Sequence, residues 1–94
     1  MKTITGNLIL KEDTKINESL KVEGDIISEN RKFNLIVAGN IDAWDIVARN
    51  IDARNIDAGN IVFCEKINRE TLKGEIKAKI LVENRSELKQ KNWK

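Results

Sequence analysis

The chain has 94 residues, 40% of them hydrophobic, and a formal net charge of +2. A chain of this length forms one small domain, whose core is thin unless a repeat or an oligomer closes its ends. The charge is too small to indicate a nucleic-acid partner, and no apolar run reaches the length of a membrane span. One cysteine excludes an internal disulfide, and nothing resembles an export signal, so we expect a soluble cytoplasmic protein.

Residues 1–37 predict irregular coils built from short strands. In three places two apolar residues flank a single residue, as they do on the buried side of a β-strand. These pairs are Leu8/Leu10, Leu20/Val22 and Leu35/Val37. Between the last two pairs, the segment from Ser28 to Lys32 reads SENRK, which predicts a protruding loop.

Residues 38–63 have a five-residue period. The segment begins AGNIDAWDIVARNIDARNIDAGNI, so that isoleucine returns every fifth position from Ile41 to Ile61. Five fits neither the helical period of 3.6 nor the strand period of 2, so the chain must turn a corner after each short extended piece. We therefore predict an all-β fold, a solenoid of short parallel strands with flat sides.

Each pentad divides into an inner face, an outer face and a corner. The isoleucine and the alanine two residues later share one face of an extended segment, and the residue between them faces outward. The predicted inward pairs are Ile41/Ala43, Ile46/Ala48, Ile51/Ala53 and Ile56/Ala58, and the predicted outward residues are Asp42, Val47, Asp52 and Asp57. Asn or Asp at the corners predicts turns that the side chain stabilises by bonding its local backbone.

The number of sides follows from the longer spacing at which residues recur. At a spacing of four pentads, Ile36 aligns with Ile56 and Ile76, and Gly39 aligns with Gly59. Four pentads per coil is the simplest interpretation, and it predicts a four-sided solenoid with about 20 residues per coil.

The C-terminal third departs from the period. Ile67 comes one residue late, which predicts an insertion or a bulge around Cys64 to Asn68 within the last coil, residues 64–83. Beyond that coil, Asn84 can cap a short helix. Residues 84–94 are therefore predicted to be a basic helical cap or tail over the open end of the solenoid.

The unit Ile41-Asp42-Ala43 and its repeats within residues 34–63 resemble the NIDA-type variant of pentapeptide-repeat proteins in low-GC bacteria and their phages. The resemblance implies a right-handed, four-sided β-helix, although the order differs, since the large residue here precedes the small one. The phage context implies an inhibitor of a host defence nuclease, such as an anti-CRISPR, working in the host cytoplasm. GNIDA at 39–43 and GEIKA at 74–78 also resemble bactofilins, and that likeness implies a self-assembling filament protein.

Residues that interrupt the motif are the candidate binding residues. With four pentads per coil, Cys64 stacks on Trp44, and four apolar residues share one edge. They are Trp44, Val47, Val62 and Cys64. Exposed apolar patches mark interfaces, and tryptophan is enriched among binding hot spots. The alternative is that the loop 28–33 or the C-terminal segment covers this strip, and for Cys64 a buried filler role is favoured over a reactive thiol.

Three arginines form a second candidate set. With the same spacing Arg49 stacks under Arg69, and Arg54 lies one corner further on. Together with basic residues near the C-terminus, they could bind phosphate or an acidic protein surface. The added residues are Arg85, Lys89, Lys91 and Lys94. We favour scattered solubilising charge instead, because Asp and Glu are interleaved, and direct nucleic-acid binding is not favoured.

The composition argues against catalysis. The chain has no histidine and no tyrosine, and a convex rod offers no concave pocket that would shift the pKa of a carboxylate or lysine. We expect no metal and no cofactor, and we predict a non-enzymatic binding module for a protein partner. The alternative is self-assembly, because an uncapped solenoid end can template another copy. The strand from Thr3 to Leu10 then predicts a homodimer through the N-terminal end.

Overall fold

Short strands separated by sharp corners make up the chain in this computed structural model, which describes residues 1–83. The strands are β1 (Lys2–Ile4), β2 (Leu8–Leu10), β3 (Thr14–Ile16), β4 (Leu20–Val22), β5 (Ile26–Ser28), β6 (Leu35–Val37), β7 (Asn40–Ala43), β8 (Ile46–Val47), β9 (Asn50–Asp52), β10 (Asn55–Ala58), β11 (Ile61–Cys64), β12 (Lys66–Ile67), β13 (Ile76–Lys77) and β14 (Ile80–Glu83). A single 3-10 turn, Glu29–Arg31, lies between β5 and β6. Residues 1–83 contain no helix that is long and apolar enough to cross a membrane. The helix predicted from Asn84 lies outside the described residues.

Every third strand pairs in parallel, which produces three flat sheets. Sheet 1 has the order β1-β4-β7-β10-β13, sheet 2 the order β2-β5-β8-β11-β14, and sheet 3 the order β3-β6-β9-β12. The chain is therefore a parallel β-solenoid of about 5 turns with about 18 residues per turn. The predicted all-β solenoid is confirmed.

The predicted number of sides is wrong, because the solenoid has three sheets and not four. Ile56 pairs with Ile41, three pentads earlier, while Ile36 lies in sheet 3 and pairs with Asp52. Of the predicted alignment of Ile36 with Ile56 and of Ile56 with Ile76, only the second pair is found. In a strict pentad repeat, isoleucine aligns with isoleucine after three pentads as well as after four, so the period alone does not give the number of sides.

The interior is filled as predicted. All eight isoleucine and alanine residues of the four inward pairs are at most 5% exposed. Leu10, Leu20, Ile26 and Leu35 from the irregular coils extend the same core toward the N-terminus. Each buried isoleucine contributes about 1.5–3 kcal/mol relative to an exposed position, so the stacked isoleucines are the main source of stability along the rod.

The repeat changes phase before Ile61 and not around Cys64 to Asn68, where the insertion was predicted. Ile56 pairs with Ile41, three pentads earlier, whereas the step from Ile46 to its partner Val62 is one residue longer than three pentads. The extra residue turns the fifth isoleucine outward and places Val62 in the core with no exposed surface. A corner can absorb one residue without disturbing the pairing of the next strand.

Two longer insertions leave the rod at corners. The first contains the 3-10 turn and confirms the loop predicted from Ser28 to Lys32. Asn30 and Arg31 have positive φ in this turn, and the Ser28 hydroxyl, which is buried, accepts a hydrogen bond from the Phe33 amide at 2.8 Å. The second insertion follows β12 and lengthens the step from Ile56 to Ile76 to the equivalent of four pentads.

Polar side chains connect successive coils at the corners. Ahead of sheet 2, the Asn7 Oδ1 atom accepts a hydrogen bond from the Asp25 amide at 2.8 Å, and the Asp25 Oδ1 atom accepts one from the Asp45 amide at 3.1 Å. Ahead of sheet 1, the Asn55 Nδ2 atom donates to Asn40 Oδ1 at 2.7 Å. The corner Asn and Asp side chains were predicted to bond the backbone of their own turn. In the structure these side chains bond the neighbouring coil instead.

Candidate functional site

One side of the solenoid carries an unbroken row of outward-facing apolar residues. The parallel register of sheet 2 aligns one such residue from each of its five strands. We call this row the apolar face; its members are Ile9, Ile27, Val47, Phe63 and Val82. Neighbouring strands of a sheet lie about 4.8 Å apart, so the row is roughly 19 Å long.

The outward row of sheet 1 is polar, and the outward row of sheet 3 is polar except at Ile36. The row on sheet 1 consists of Thr3, Lys21, Asp42, Asp57 and Lys77. On sheet 3 the Ile36 side chain lies between Lys15 and Asp52, and Asp52 in turn accepts a hydrogen bond from Asn68 at 3.1 Å. Only sheet 2 therefore has an apolar outer side among the three sheets of residues 1–83.

The strands of sheet 2 have the sequence of strands buried on both sides. A parallel strand covered on both faces has a nearly continuous apolar sequence, whereas a strand with one solvent-exposed face alternates between apolar and polar residues. The strands of sheet 2 read LIL, IIS, IV, IVFC and ILVE, while those of sheet 1 include LKV and NIDA. In the single chain, however, three members of the apolar face are at least 36% exposed.

Exposure varies along the apolar face. Ile9 is 44% exposed, Ile27 and Val82 are each 36% exposed, and Val47 and Phe63 are half-buried. Part of the cover on Phe63 comes from Arg31, whose guanidinium carbon lies 5.0 Å from the centre of the phenyl ring. This contact of the loop 28–33 is made with Phe63, which does not belong to the strip that the loop was predicted to cover.

The two long borders of the apolar face carry charges of both signs. The border formed by the corner ahead of sheet 2 carries Asp25, Asp45 and, in the last coil, Lys79. The opposite border, which follows sheet 2 along the chain, carries three cations and two glutamates: Lys11, Arg31, Arg49, Glu29 and Glu65. The second of these glutamates, Glu65, pairs with the Arg49 Nε atom at 3.8 Å.

The predicted strip of four residues does not exist. Val62 and Cys64 face inward and are at most 1% exposed, whereas Trp44 is 60% exposed at the corner between sheets 1 and 2. Trp44 lies against Gly59, where a Cβ atom would overlap the indole ring. Of the four residues, Val47 alone belongs to the apolar face. The error follows from the spacing, because a coil of four pentads stacked Trp44 on Cys64.

The three candidate arginines also lie apart. The Glu65 amide donates to the Arg49 carbonyl, so the residue that follows Arg49 in the stack is Glu65 and not Arg69. Arg69 forms an ion pair with Glu83, and Arg54 lies at the corner between sheets 3 and 1, where its carbonyl accepts bonds from Lys73 and Gly74. The predicted basic partners Arg85, Lys89, Lys91 and Lys94 lie outside the described residues.

The Cys64 side chain is a core residue. Burial raises the pKa of its thiol to about 12, and the nearby Glu83 carboxylate adds to this rise, while Arg69 opposes it. A thiol with this pKa stays protonated near neutral pH and is a poor nucleophile. The filler role favoured from the sequence agrees with this position.

Other places where chemistry could occur are open or polar. A groove of about 490 Å³ lies on sheet 3, lined by residues that include Asn50, Asp52, Lys66 and Asn68. Residues 1–83 contain no group of three His, Cys, Asp or Glu side chains that could hold a metal ion. The apolar face is the surface whose composition departs most from that of its neighbours.

Four of the five residues of the apolar face were not predicted as site residues: Ile9, Ile27, Phe63 and Val82. Their signal in the sequence is the uninterrupted apolar run that contains each of them, for example Leu8–Leu10. The fold and this surface define a β-solenoid with one apolar side. Comparison of the chain with protein-family models, curated proteins and solved structures gives no match in any of the three.

Proposed function

We propose that this protein is a non-enzymatic binding module that docks a protein partner on the apolar face. The observation that carries the proposal is the outward row of sheet 2, which is apolar in every strand, while the outward row of sheet 1 is polar and that of sheet 3 has one apolar residue, Ile36. Exposed apolar patches with charged borders are typical of protein interaction sites.

The shape of the apolar face favours a macromolecular partner over a small ligand. Small molecules bind in concave pockets that bury most of their surface, whereas the apolar face is a straight row on a flat sheet. The hydrogen-bonded corners fix the positions of the first four strands of sheet 2 relative to one another. A rigid surface of this kind binds with little loss of conformational entropy.

The size of the apolar face suggests moderate affinity. If docking removes about 50 Å² of apolar surface from each of the five side chains on average, the gross gain is about 6 kcal/mol at ~25 cal/mol per Å². Association costs on the order of 4–15 kcal/mol before any net affinity remains. We therefore expect reversible binding that also needs contacts from the charged borders.

A matched pair of isoleucines tests the proposal. Ile27 on the apolar face is 36% exposed and Ile36 on sheet 3 is 37% exposed, and both are outward residues of central strands. The tagged protein is used to capture partners from bacterial lysate in three forms, wild type, Ile27→Lys and Ile36→Lys, with circular dichroism as the check of folding. A protein captured stoichiometrically by the wild type and by Ile36→Lys, but not by Ile27→Lys, is the expected result. Equal capture by both variants would contradict docking on the apolar face.

Two narrower hypotheses stay predictions. One is an inhibitor of a host defence nuclease, such as an anti-CRISPR, and the other is bactofilin-like assembly through the solenoid ends. End-to-end growth is opposed by Glu83, whose carboxylate accepts a hydrogen bond from the Ile67 amide on β12, the last strand of sheet 3 among the described residues. That amide would otherwise be open to a strand from another copy.

A further inference from the structure

We propose that the occupant of the apolar face is a second copy of this chain, packed by the same face, with the two rods side by side and pointing in the same direction. This inference rests on the proposed function, since it names the partner for the surface described above. It differs from the homodimer predicted from the sequence, which used a solenoid end.

The first argument is the match in spacing. The apolar face presents one side chain for each coil, so its period along the rod equals the distance between strands, about 4.8 Å. A second copy has the same period by construction, and each of its five residues can therefore meet its counterpart without a mismatch that grows along the row. Two flat sheets pack about 10 Å apart with their side chains interdigitated. A helix presents one face about once per turn of 5.4 Å, so its side chains would drift by roughly 2 Å over the four steps of the row.

The second argument is the pair of opposite charges that flank Val47, which also selects the orientation. If the two-fold axis is parallel to the rods, each border faces the opposite border of the other copy at the same coil. Asp45 then faces Arg49 of the partner subunit, because both residues flank Val47 in the third coil. If the rods were antiparallel, Asp45 would face Asp45 of the partner subunit, and the two Arg49 side chains would also face each other.

The existing contacts hold these charges in place. The Asp45 Oδ1 atom accepts a hydrogen bond from the Ile61 amide at 3.2 Å, which fixes the carboxylate on its border. Arg49 has Glu65 as a neighbour at 3.8 Å but keeps 56% of its side chain exposed. A guanidinium with five donors can bond a second carboxylate while keeping the first.

The buried area sets the expected strength. The apolar face and its two borders would bury roughly 1,000 Å² in total, which is at the lower end of specific interfaces. A dissociation constant on the order of 10 µM is the expectation for a contact of this size and polarity. The dimer should therefore form and separate reversibly across the micromolar range.

Sedimentation velocity between about 1 and 300 µM tests the association with the full chain. Wild type and Ile36→Lys should move from monomer to dimer over this range, because Ile36 lies outside the interface. Ile27→Lys should raise the dissociation constant at least tenfold, and Val47→Lys serves as a second variant should the first fold poorly. A wild type that is monomeric at every concentration would overturn the inference, and so would equal dissociation constants for Ile27→Lys and Ile36→Lys.

Cross-linking tests the orientation. In the parallel arrangement Ile9 faces Ile9 of the partner subunit, so Ile9→Cys should cross-link to itself through a short bismaleimide. Antiparallel rods would instead place Ile9 opposite Val82, and cross-linking only in a mixture of Ile9→Cys and Val82→Cys would overturn the parallel arrangement. Ile36→Cys is the matched control and should cross-link poorly. Cys64 does not compete, because it is buried and its thiol is protonated.

The two proposals fail in different ways. A monomer that captures another protein through Ile27 would refute the second copy as occupant and leave the binding module intact. A monomer in which the thiol of Ile9→Cys reacts slowly would indicate that another part of the same chain covers the apolar face, and both proposals would then fall. A dimer that depends on Ile27 supports both.

Discussion

The change of phase before Ile61 leads to a prediction about stability that is opposite to the one expected from the five-residue period. By the period Ile61 is a core residue, whereas in the structure Val62 is 0% exposed and Ile61 is only half-buried on the outer side. We compare Val62→Ala with Ile61→Ala. Val62→Ala should lower the free energy of unfolding more than Ile61→Ala, although valine is the smaller side chain, because only the change at Val62 leaves a cavity inside the rod.

The expected magnitudes follow from burial. Val62→Ala removes two methyl groups from a position between Ile46 and Leu81 of the neighbouring coils. At about 0.8 kcal/mol per buried carbon plus a cavity term, the loss is about 2–3 kcal/mol. Ile61→Ala removes more atoms from a partly exposed position and should lose less than about 1 kcal/mol. Ile56→Ala, at a 1% exposed position of the regular block, is the reference for a true core isoleucine and should lose about 2–5 kcal/mol.

Urea unfolding followed by circular dichroism measures the three losses. A difference of about 2 kcal/mol moves the midpoint by roughly 1 M when the denaturant slope is about 2 kcal/mol per M. The slope must stay unchanged, because a repeat protein can lose cooperativity and unfold in parts. If Ile61→Ala is as destabilising as Ile56→Ala while Val62→Ala is nearly neutral, the register of β11 is wrong, and Phe63 no longer belongs to the apolar face.

Two further predictions concern the core thiol and the corners. The pKa of the Cys64 thiol is raised from 9.0 to about 12, so its contribution to stability is complete below pH 9 and is lost as the pH rises toward 12. Urea unfolding at several pH values should show that the free energy of unfolding falls more steeply at alkaline pH in wild type than in Cys64→Ala. Equal slopes would argue against a buried protonated thiol. Asp45→Ala removes the acceptor of the Ile61 amide and should cost about 1–2 kcal/mol. Asp42→Ala on sheet 1 should cost almost no stability, because Asp42 lies beside the like charge of Asp57. Equal midpoints in thermal melts of Asp45→Ala and Asp42→Ala would refute the structural role of the corner bond.

The inner face of the repeat could be predicted from the sequence because the rule that governs it is local. An extended segment sends alternate residues to opposite sides, so Ile41 and Ala43 share a face whatever the coil looks like. The outward direction of Asp42 and Val47 follows from the same rule. The loop after Ser28 could be predicted from an equally local rule, because a run of polar residues without periodicity cannot continue the core.

The stacking of one coil on another could not be predicted from the regular block. A perfect pentad gives the same alignment at every multiple of five, and the register is fixed only where coils of other lengths adjoin it. Lys2 pairs with Leu20 and Leu20 pairs with Ile41, and both steps are somewhat longer than three pentads, which is compatible with three sides plus small insertions. The stacking of Trp44 on Cys64 and of Arg49 on Arg69 came from the choice of four pentads per coil, and the outward placement of Val62 came from the extra residue before Ile61.

The three-sided register explains the exception within the repeat itself. In the units that begin at Ile41, Ile51 and Ile56 the outward residue is aspartate, and in the unit that begins at Ile46 it is Val47. A coil of four pentads also places Ile27 before this valine, but it places the buried Ile67 after it. With three sides it falls in sheet 2, where Ile27 precedes it and Phe63 follows it in register. Three neighbouring coils of different sequence and different length therefore place an apolar residue at the same outward position of the same side. Solubility alone would favour aspartate at Val47, as in the other units, so the interruption of the repeat supports a surface that is covered when the protein works.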